Sequence, residues 1–470
     1  MNTKQLRRKI LDLAIRGKLV PQNPADEPAS ILLERIRAEK ESLVKEGKIK
    51  RSKKDNAIIR GDDKLCYEQL PQGWAWCRLG DICDSVLGKM LDAQKNKGEY
   101  KPYLRNINVR WGDFELNDLL EMRFENDENE RYAVKHGDLV ICEGGESGRC
   151  AVWKYADIDM RFQKALHRVR PLCNIYPEYL CFIIRRYAQT DFLENYFTGS
   201  TIKHLTGQAL ATLPVPLPPL AEQHRIVAAI ESAFTVIDEI ERNKTDLQIV
   251  VAAAKQKILS LAIRGKLVPQ DPTDEPASTL LERIRAERET LIKVGKIKKE
   301  KPLPLITEDE FPFDIPNEWA WTRLGNIISV SSGDGLTSKQ MDSSGTIPVY
   351  GGNGITGYHN ASNITSPILV IGRVGFYCGS THIIKSKAWV TDNAFIVTLF
   401  DNRISLFWLK YLLDFSKIRN KSCSTAQPVI SGKSLYPILI PVPPIAEQQR
   451  IVAAIETAFE QLDMITEKLS

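Results

Sequence analysis

Three stretches of this chain carry residue types that could do chemistry on a ligand, and that chemistry is recognition rather than bond making. The first, YKPYLRNINVRWGDF at 100–114, interleaves aromatics with Arg and Asn. On a strand or ribbon such residues can reach base edges, where Arg pairs with guanine and Asn with adenine. Tyr103, Arg105, Asn106, Asn108 and Arg110 are the candidates; an ordinary half-buried strand with a polar face is the equal alternative. The second, GDLVICEGGESG at 137–148, predicts a strand ending in a glycine turn at Gly144 and Gly145, with Lys203 as a further candidate cation. The third, VYGGNGITGYHN at 349–360, offers Tyr350, Gly352, Asn353, Gly354, Gly357 and Tyr358, and Arg373 lies beyond it in PILVIGRVG. Gly352–Gly357 matches G-x-G-x-x-G literally. A dinucleotide fingerprint must open a helix, and Tyr-His-Asn-Ala-Ser-Asn does not start one. A tight loop near a ligand backbone is the better reading.

Residues for catalysis are missing. There is no phosphate-binding G-x-x-x-x-G-K-[ST], no H-E-x-x-H and no C-x-x-C. The six histidines form no metal-spaced pair, and the nine cysteines are not repeated where the chain repeats itself, which predicts reduced, mostly buried thiols. No catalytic and no metal residues are expected. Net charge is +5 and pI about 8.6, which permits a nucleic-acid partner without requiring one. The N-terminal MNTKQLRRKILDL has no apolar signal core and no run is long enough to span a membrane. A cytoplasmic protein is the expectation.

The frame that must position these stretches is written twice. KILDLAIRGKLVPQNPADEPAS and LLERIRAEK at 9–50 return as KILSLAIRGKLVPQDPTDEPAS and LLERIRAER at 257–298. WAWCRLG at 74–80 returns as WAWTRLG at 319–325, and LPPLAEQHRIVAAIESAF at 217–234 as VPPIAEQQRIVAAIETAF at 442–459. Between these blocks the halves differ almost completely: one scaffold presents two readers. From Ile226 to Leu261 apolar residues recur in steps of four and three, broken only at Lys244, which predicts one long coiled-coil helix ending at Gly265. Ile451, Ile455, Ala458, Leu462, Ile465 and Leu469, continued by Leu6, Ile10 and Leu13, predict a partner split between the chain ends. Asp26 and Asp274 are expected to cap the charged helices after them. The basic runs at 48–54 and 296–301 are read as solvated linkers, with nonspecific phosphate contact as the alternative.

The expected fold is α/β (α+β): two globular recognition domains separated by a long antiparallel coiled coil, in a circular pseudo-two-fold repeat. The parts are an N-terminal repeat at 1–70, an insert at 71–215, a central helix region at 216–315, a second insert at 316–440 and a terminal helix at 441–470.

The paired PLPPLAEQHRIVAAIE and PVPPIAEQQRIVAAIE segments, the LAIRGKLVPQ…DEPAS…LLERIRAE repeats and the YGGNGITGYHN…ILVIGRVG stretch resemble the specificity subunits of type I restriction-modification systems, in their type IB-like branch. That resemblance covers essentially the whole chain. It implies a non-catalytic subunit whose two target recognition domains each read half of a bipartite, asymmetric double-stranded DNA site. It implies two modification subunits docked along the repeated helices, with Glu222, Gln223, Arg225, Glu447, Gln448 and Arg450 as the docking residues, and restriction subunits in the full complex. S-adenosylmethionine, ATP and Mg²⁺ would serve those other subunits, with no cofactor in this chain. A stand-alone DNA-binding regulator and a fused restriction or methylation enzyme are the alternatives.

Overall fold

The computed structural model describes residues 2–49, 69–90, 92, 94–190, 192–199, 203–295, 297, 301–342, 344–416, 418 and 428–468. Most of both basic runs, Cys66, Cys423 and the seam position Leu469 lie outside these residues. The chain divides into two compact units, 1–243 and 244–470.

Unit 1 opens with helices α1 (Thr3–Ile15) and α2 (Ala29–Lys45). Its strands are β1 (Ala75–Arg78), β2 (Cys83–Leu87), β3 (Glu99–Leu104), β4 (Leu120–Phe124), β5 (Leu139–Cys142), β6 (Cys150–Val152), β7 (Arg161–Phe162) and β8 (Leu166–Pro171). Helix α3 (Pro177–Ala188) and strand β9 (Pro214–Leu217) come next, and α4 (Leu220–Ile263) runs on into unit 2. Unit 2 adds α5 (Ala277–Lys293), β10 (Ala320–Arg323), β11 (Ile328–Ser332), β12 (Ile347–Gly351), β13 (Gly354–His359), β14 (Ile368–Gly372), β15 (Thr381–Ile384), β16 (Trp389–Val390) and β17 (Ala394–Leu399). It ends with α6 (Leu406–Phe415), β18 (Leu439–Val442) and α7 (Ile445–Glu467).

The two inserts share one topology although their sequences do not align. Unit 1 has a four-stranded sheet β2-β8-β5-β6, a three-stranded sheet β4-β3-β7 and a ribbon β1-β9. Unit 2 has β11-β17-β14-β15, β13-β12-β16 and β10-β18 in the corresponding places. All pairs are antiparallel except β3–β7 and β12–β16, which are parallel in both. Strand alternation explains how unlike sequences reach one fold. Successive side chains leave a strand on opposite faces. Leu139 and Ile141 of β5 join a core with the helices, while Val140 and Cys142 enter a second core between the sheets. In β14, Leu369 and Ile371 face the helices and Val370 the second core. Both sides of these strands are buried, so an alternating sequence signal never forms.

The repeated blocks fold alike in detail. Gly17 and Gly265 lie just past α1 and α4 with φ of +63° and +66°. Each closes a Schellman motif, Lys18 N–H to Leu13 C=O and Lys266 N–H to Leu261 C=O, both at 2.8 Å. A Cβ at either glycine would meet Pro71 or Pro316 at 2.4 Å. The expected helix caps are corrected. Helix α2 starts one residue after Pro28 without a side-chain cap, and the Ala29 N–H donates to Gly73 C=O instead, as Ala277 does to Glu318. Asp26 and Asp274 are taken up elsewhere. The apolar seam is also corrected. Ile226, Ile230, Ile237 and Val251 are buried as the heptad predicts, but the seam positions Ile240 and Ile465 are 37 % and 43 % exposed. Near Gly265 the buried residues are Leu259, Ala262 and Ile263, and in α1 Leu11 and Ala14, while Leu6 is 37 % exposed. The helix there buries the face that meets the insert, which is one position off the heptad. The stretch 179–187 is helical within α3. The cysteines described are free thiols, and the Cys150 and Cys181 sulfurs lie 3.6 Å apart without a disulfide.

Candidate nucleic-acid interface

Each insert is anchored where it begins and ends. The ribbon β1–β9 pairs Ala75 with Leu217, and β10–β18 pairs Ala320 with Val442, so both ends of an insert meet beside the first turn of a long helix. Glu222 in that turn accepts from Trp74 Nε1 at 3.0 Å and from Gln22 Nε2 at 3.1 Å. Gln223 accepts the Tyr176 N–H at 3.2 Å and donates to Pro218 C=O at 3.0 Å. Arg225 pairs with Asp26 at 2.7 Å. Unit 2 repeats every bond: Trp319 and Gln270 to Glu447, Ser405 N–H to Gln448, Gln448 to Pro443 C=O, and Arg450 to Asp274. Glu222, Gln223, Glu447 and Gln448 are at most 1 % exposed. Burial pushes the Glu447 carboxyl above the usual carboxylate range. The polar atoms of Glu222, Gln223, Glu447 and Gln448 are therefore spent inside the unit, locking the insert, the N-terminal repeat and the long helix together. Arg225 and Arg450 remain partly exposed at the lock's edge.

Beyond this anchor two loops come together in each unit. In unit 1 they are the segment after β3 and the β5–β6 loop. Asn106 Nδ2 donates to Gly144 C=O at 2.8 Å, and Arg149 Nη2 donates to Asn106 C=O at 2.8 Å. Thus Asn106, Gly144 and Gly145 do come together. Glu143 N–H bonds Ala165 C=O, bringing the β7–β8 turn alongside, and a shallow concavity there is lined by Met90, Glu143, Gln163, Lys164 and Ala165. Lys203 reaches the same loop through its carbonyl, which accepts from Ser147 Oγ at 2.9 Å, while its ammonium pairs with Glu194.

Other candidates have structural duties. Tyr103 is 3 % exposed in the second core. Asn108 is 1 % exposed; it accepts the Arg105 N–H and donates to the Glu115 and Asp118 carbonyls. The expected strand stops at Leu104 because Asn108 folds residues 106–108 into a 3₁₀ turn. Arg105 is held by the Asp118 carboxylate at 2.7 Å. Arg110 is exposed.

In unit 2 the matching loops are the β12–β13 turn and the β14–β15 loop. Gly352 C=O accepts from Ser380 Oγ at 2.8 Å, and a Cβ on Gly352 would lie 2.8 Å from Val374 C=O. Gly354 has φ of +86° and sits over the His382 ring. Only glycine permits this turn and close approach, and the turn pushes Asn353 into solvent at its tip. Arg373 lies at the start of the adjoining loop, with Nη1 3.4 Å from Ser332 Oγ and its guanidinium 5.4 Å above Phe395. Tyr350 packs against the second core. Gly357 and Tyr358 pair with Val349 and Pro348, several residues back from the turn. Sequence reasoning missed Arg149 and Lys164 in unit 1, and Phe376 and Tyr377 at the β14–β15 tip, 67 % and 52 % exposed. Two large aromatics between glycines in VGFYCG were the available signal.

Such loops can hydrogen-bond base edges, stack on bases and approach phosphates. Among the described residues no group of three His, Cys, Asp or Glu side chains could hold a metal ion, and no helix is long and apolar enough to cross a membrane.

The family model described as "Type I restriction modification DNA specificity domain" matches residues 71–249 and 316–470. The chain is 31 % identical to the type I restriction enzyme EcoAI specificity subunit of Escherichia coli, over 96 % of this chain and 88 % of that protein. It is 29 % identical to the EcoEI specificity subunit of the same organism, over 99 % and 90 %. A solved structure concerning complex assembly and conformational transition of a type I R-M system shares the fold, with a TM-score of 0.58 at 20 % identity, over 86 % of this chain and 94 % of that one.

Proposed function

The chain belongs to the type I restriction modification DNA specificity family, and from that premise we propose how its geometry reads DNA. It is the DNA sequence-specificity subunit of a type I restriction-modification complex. The observation that carries the mechanism is the pair of units with one topology, one anchor and unlike loops. Each unit reads one half of a bipartite, asymmetric site. In unit 1 the reading face is Asn106, Gly144, Gly145 and the β7–β8 turn, with Arg110, Lys164 and Lys203 as phosphate or base contacts. In unit 2 it is Asn353, Arg373 and the aromatic tip. Exposed Arg110 and Asn353, with Arg373, discriminate by bidentate bonds to guanine and adenine, each worth about 1–3 kcal/mol against the wrong base, while Asn106 holds the Gly144 loop in place.

The long helix α4 serves as a ruler. Its two halves pair with α1 and α7 in an antiparallel, pseudo-two-fold coiled coil that fixes the gap between half-sites. Two modification subunits dock on the repeated frame and bring S-adenosylmethionine to the target adenines; restriction subunits add ATP- and Mg²⁺-dependent cleavage. This chain binds, orients and spaces, and performs none of the bond making. The test is single-molecule methylome sequencing of cells carrying the modification subunit with and without this chain. A bipartite methylated motif should appear only with it. Equal methylation without it would contradict the proposal.

A further inference from the structure

The β14–β15 loop of unit 2 carries two exposed aromatic rings that its own folding does not require. Phe376 and Tyr377 are 67 % and 52 % exposed, and their rings meet edge to face at 5.0 Å and 84°. The loop is closed at its base by Gly372 N–H to Ser380 C=O at 2.8 Å and Gly379 N–H to Gly372 C=O at 2.7 Å. Cys378, 1 % exposed, pins it to the core, and Gly375 N–H donates to Pro428 C=O at 3.0 Å. Unit 1 closes its β5–β6 loop in the same way, with Cys142 N–H to Arg149 C=O at 2.8 Å and Gly148 N–H to Cys142 C=O at 2.9 Å. The tip of that loop holds Gly145, Glu146 and Ser147. The same closed loop therefore forms without a ring at its tip, and the rings of unit 2 serve a contact outside the fold.

Charge selects the occupant. Between Asp342 and Asp392 the chain has no Asp or Glu, while Arg373, Lys385 and Lys387 are present. That stretch supplies both the β12–β13 turn, with Asn353 exposed at its tip, and the β14–β15 loop, with Arg373 at its start. Loops without carboxylates beside a cation suit a polyanion. On the outside of a duplex an apolar ring gains little, because phosphates and base edges are polar and the thymine methyl is the one apolar group in the major groove. The large apolar faces lie between stacked bases. A ring on a protruding loop reaches them by insertion, as apolar wedges do, and a loop already fixed by its own hydrogen bonds keeps the ordering cost small. Two perpendicular rings cannot both enter one base step. Phe376 is the more exposed and is wholly apolar, whereas Tyr377 has a hydroxyl that keeps one end in contact with water or phosphate.

We propose that Phe376 is a wedge that inserts between two stacked bases in the half-site read by unit 2, with Tyr377 bracing it from the side. This rests on the DNA-reading role of unit 2 stated above and adds the manner of reading. The cost of opening a step depends on its sequence and is least at pyrimidine–purine steps. Phe376 thus discriminates among base steps without a hydrogen bond to any base.

The test uses the full chain with its modification subunit on the cognate duplex, scanned with 2-aminopurine at each adenine and pyrrolocytosine at each cytosine, whose fluorescence rises on unstacking. Wild type should raise the signal at one step within the half read by unit 2. Phe376→Ala should lose that rise and bind the cognate duplex about ten-fold more weakly, the scale of one lost base stack. Phe376→Leu, still an apolar wedge, should keep the rise. A mismatch at the step, which is cheaper to open, should tighten binding by wild type and not by Phe376→Ala. Bases opened by other subunits light up in wild type and Phe376→Ala alike, so they drop out of the comparison. An unchanged scan and affinity in Phe376→Ala would overturn the wedge while leaving the specificity function intact. So would a Phe376→Ala chain that no longer retains its modification subunit in native mass spectrometry, since the ring would then sit on a protein interface. A wild-type complex that does not prefer the cognate duplex over a scrambled one would instead overturn the functional reading.

Discussion

The Trp74 indole N–H donates to Glu222 at 3.0 Å across 148 residues of chain, and Trp319 repeats the bond to Glu447 at 2.8 Å across 128. Each pair ties the entry of a reader to the first turn of the helix that leaves it. Both carboxylates are buried, so each needs its donors. Trp74→Phe keeps an aromatic ring and removes one donor, which should cost unit 1 about 1–3 kcal/mol. Trp319→Phe should do the same to unit 2. Hydrogen exchange on the full chain checks this: each variant should speed exchange in its own unit's anchored segments and leave the other unit unchanged.

His167 gives unit 1 a pH dependence. Its Nε2–H donates to Leu205 C=O at 2.9 Å, and burial holds its pKa below the ordinary 6.5. The unfolded chain therefore takes up this proton before the folded one does. Stability falls as pH drops through about 6.5 and goes on falling until the folded pKa is reached. Gln at 167 keeps a donor and does not titrate. Between pH 7 and pH 5.5 the wild-type urea midpoint should fall further than that of His167→Gln. Parallel curves would show that His167 is not the group responsible.

Reader residues should separate by unit. Asn353→Ala, Arg373→Ala and Phe376→Ser with Tyr377→Ser should weaken discrimination in one half of the methylated motif by about 1–3 kcal/mol per contact. Lys164→Ala should weaken binding to all sequences and lower the salt dependence. Arg105→Ala should act indirectly, by freeing the segment that Asp118 now holds. Binding isotherms on cognate and single-base variant duplexes, at two salt concentrations, distinguish these outcomes.

The split-partner reading of α7 and α1 also makes a prediction. A circular permutant joining Ser470 to Met1 by a short linker, and reopened between Asn243 and Lys244, should fold and support methylation. The new break falls at the boundary between the two compact units. A permutant that unfolds in either unit would contradict it. Ile230→Asp or Ile455→Asp should each cost several kcal/mol, about what an unpaired charge costs in a buried site, since both isoleucines are at most 1 % exposed.

The frame was legible because it is repeated and because helices announce themselves by period. The long helix, the Gly17 and Gly265 stops and the glycine turns at 144–145 and 352–354 all derive from local rules. The shared topology of the inserts was not legible, since β5 and β14 are buried on both faces and show no alternation. The duties of Tyr103, Asn108, Glu222 and Gln223 were hidden for another reason. A residue that folding buries against partners elsewhere in the unit looks, in sequence, the same as one offered to a ligand. Asp26 shows it most plainly: it stands where a cap belongs, and Arg225 takes it instead.

The central claim is that two independent readers share one frame, and a domain exchange tests it most directly. Residues 71–215 are replaced by the first recognition insert of another family member, and the methylated motif is sequenced in cells. One half of the motif should change, while the other half and the spacer stay as they were. A change in both halves, or in the spacer alone, would contradict the account.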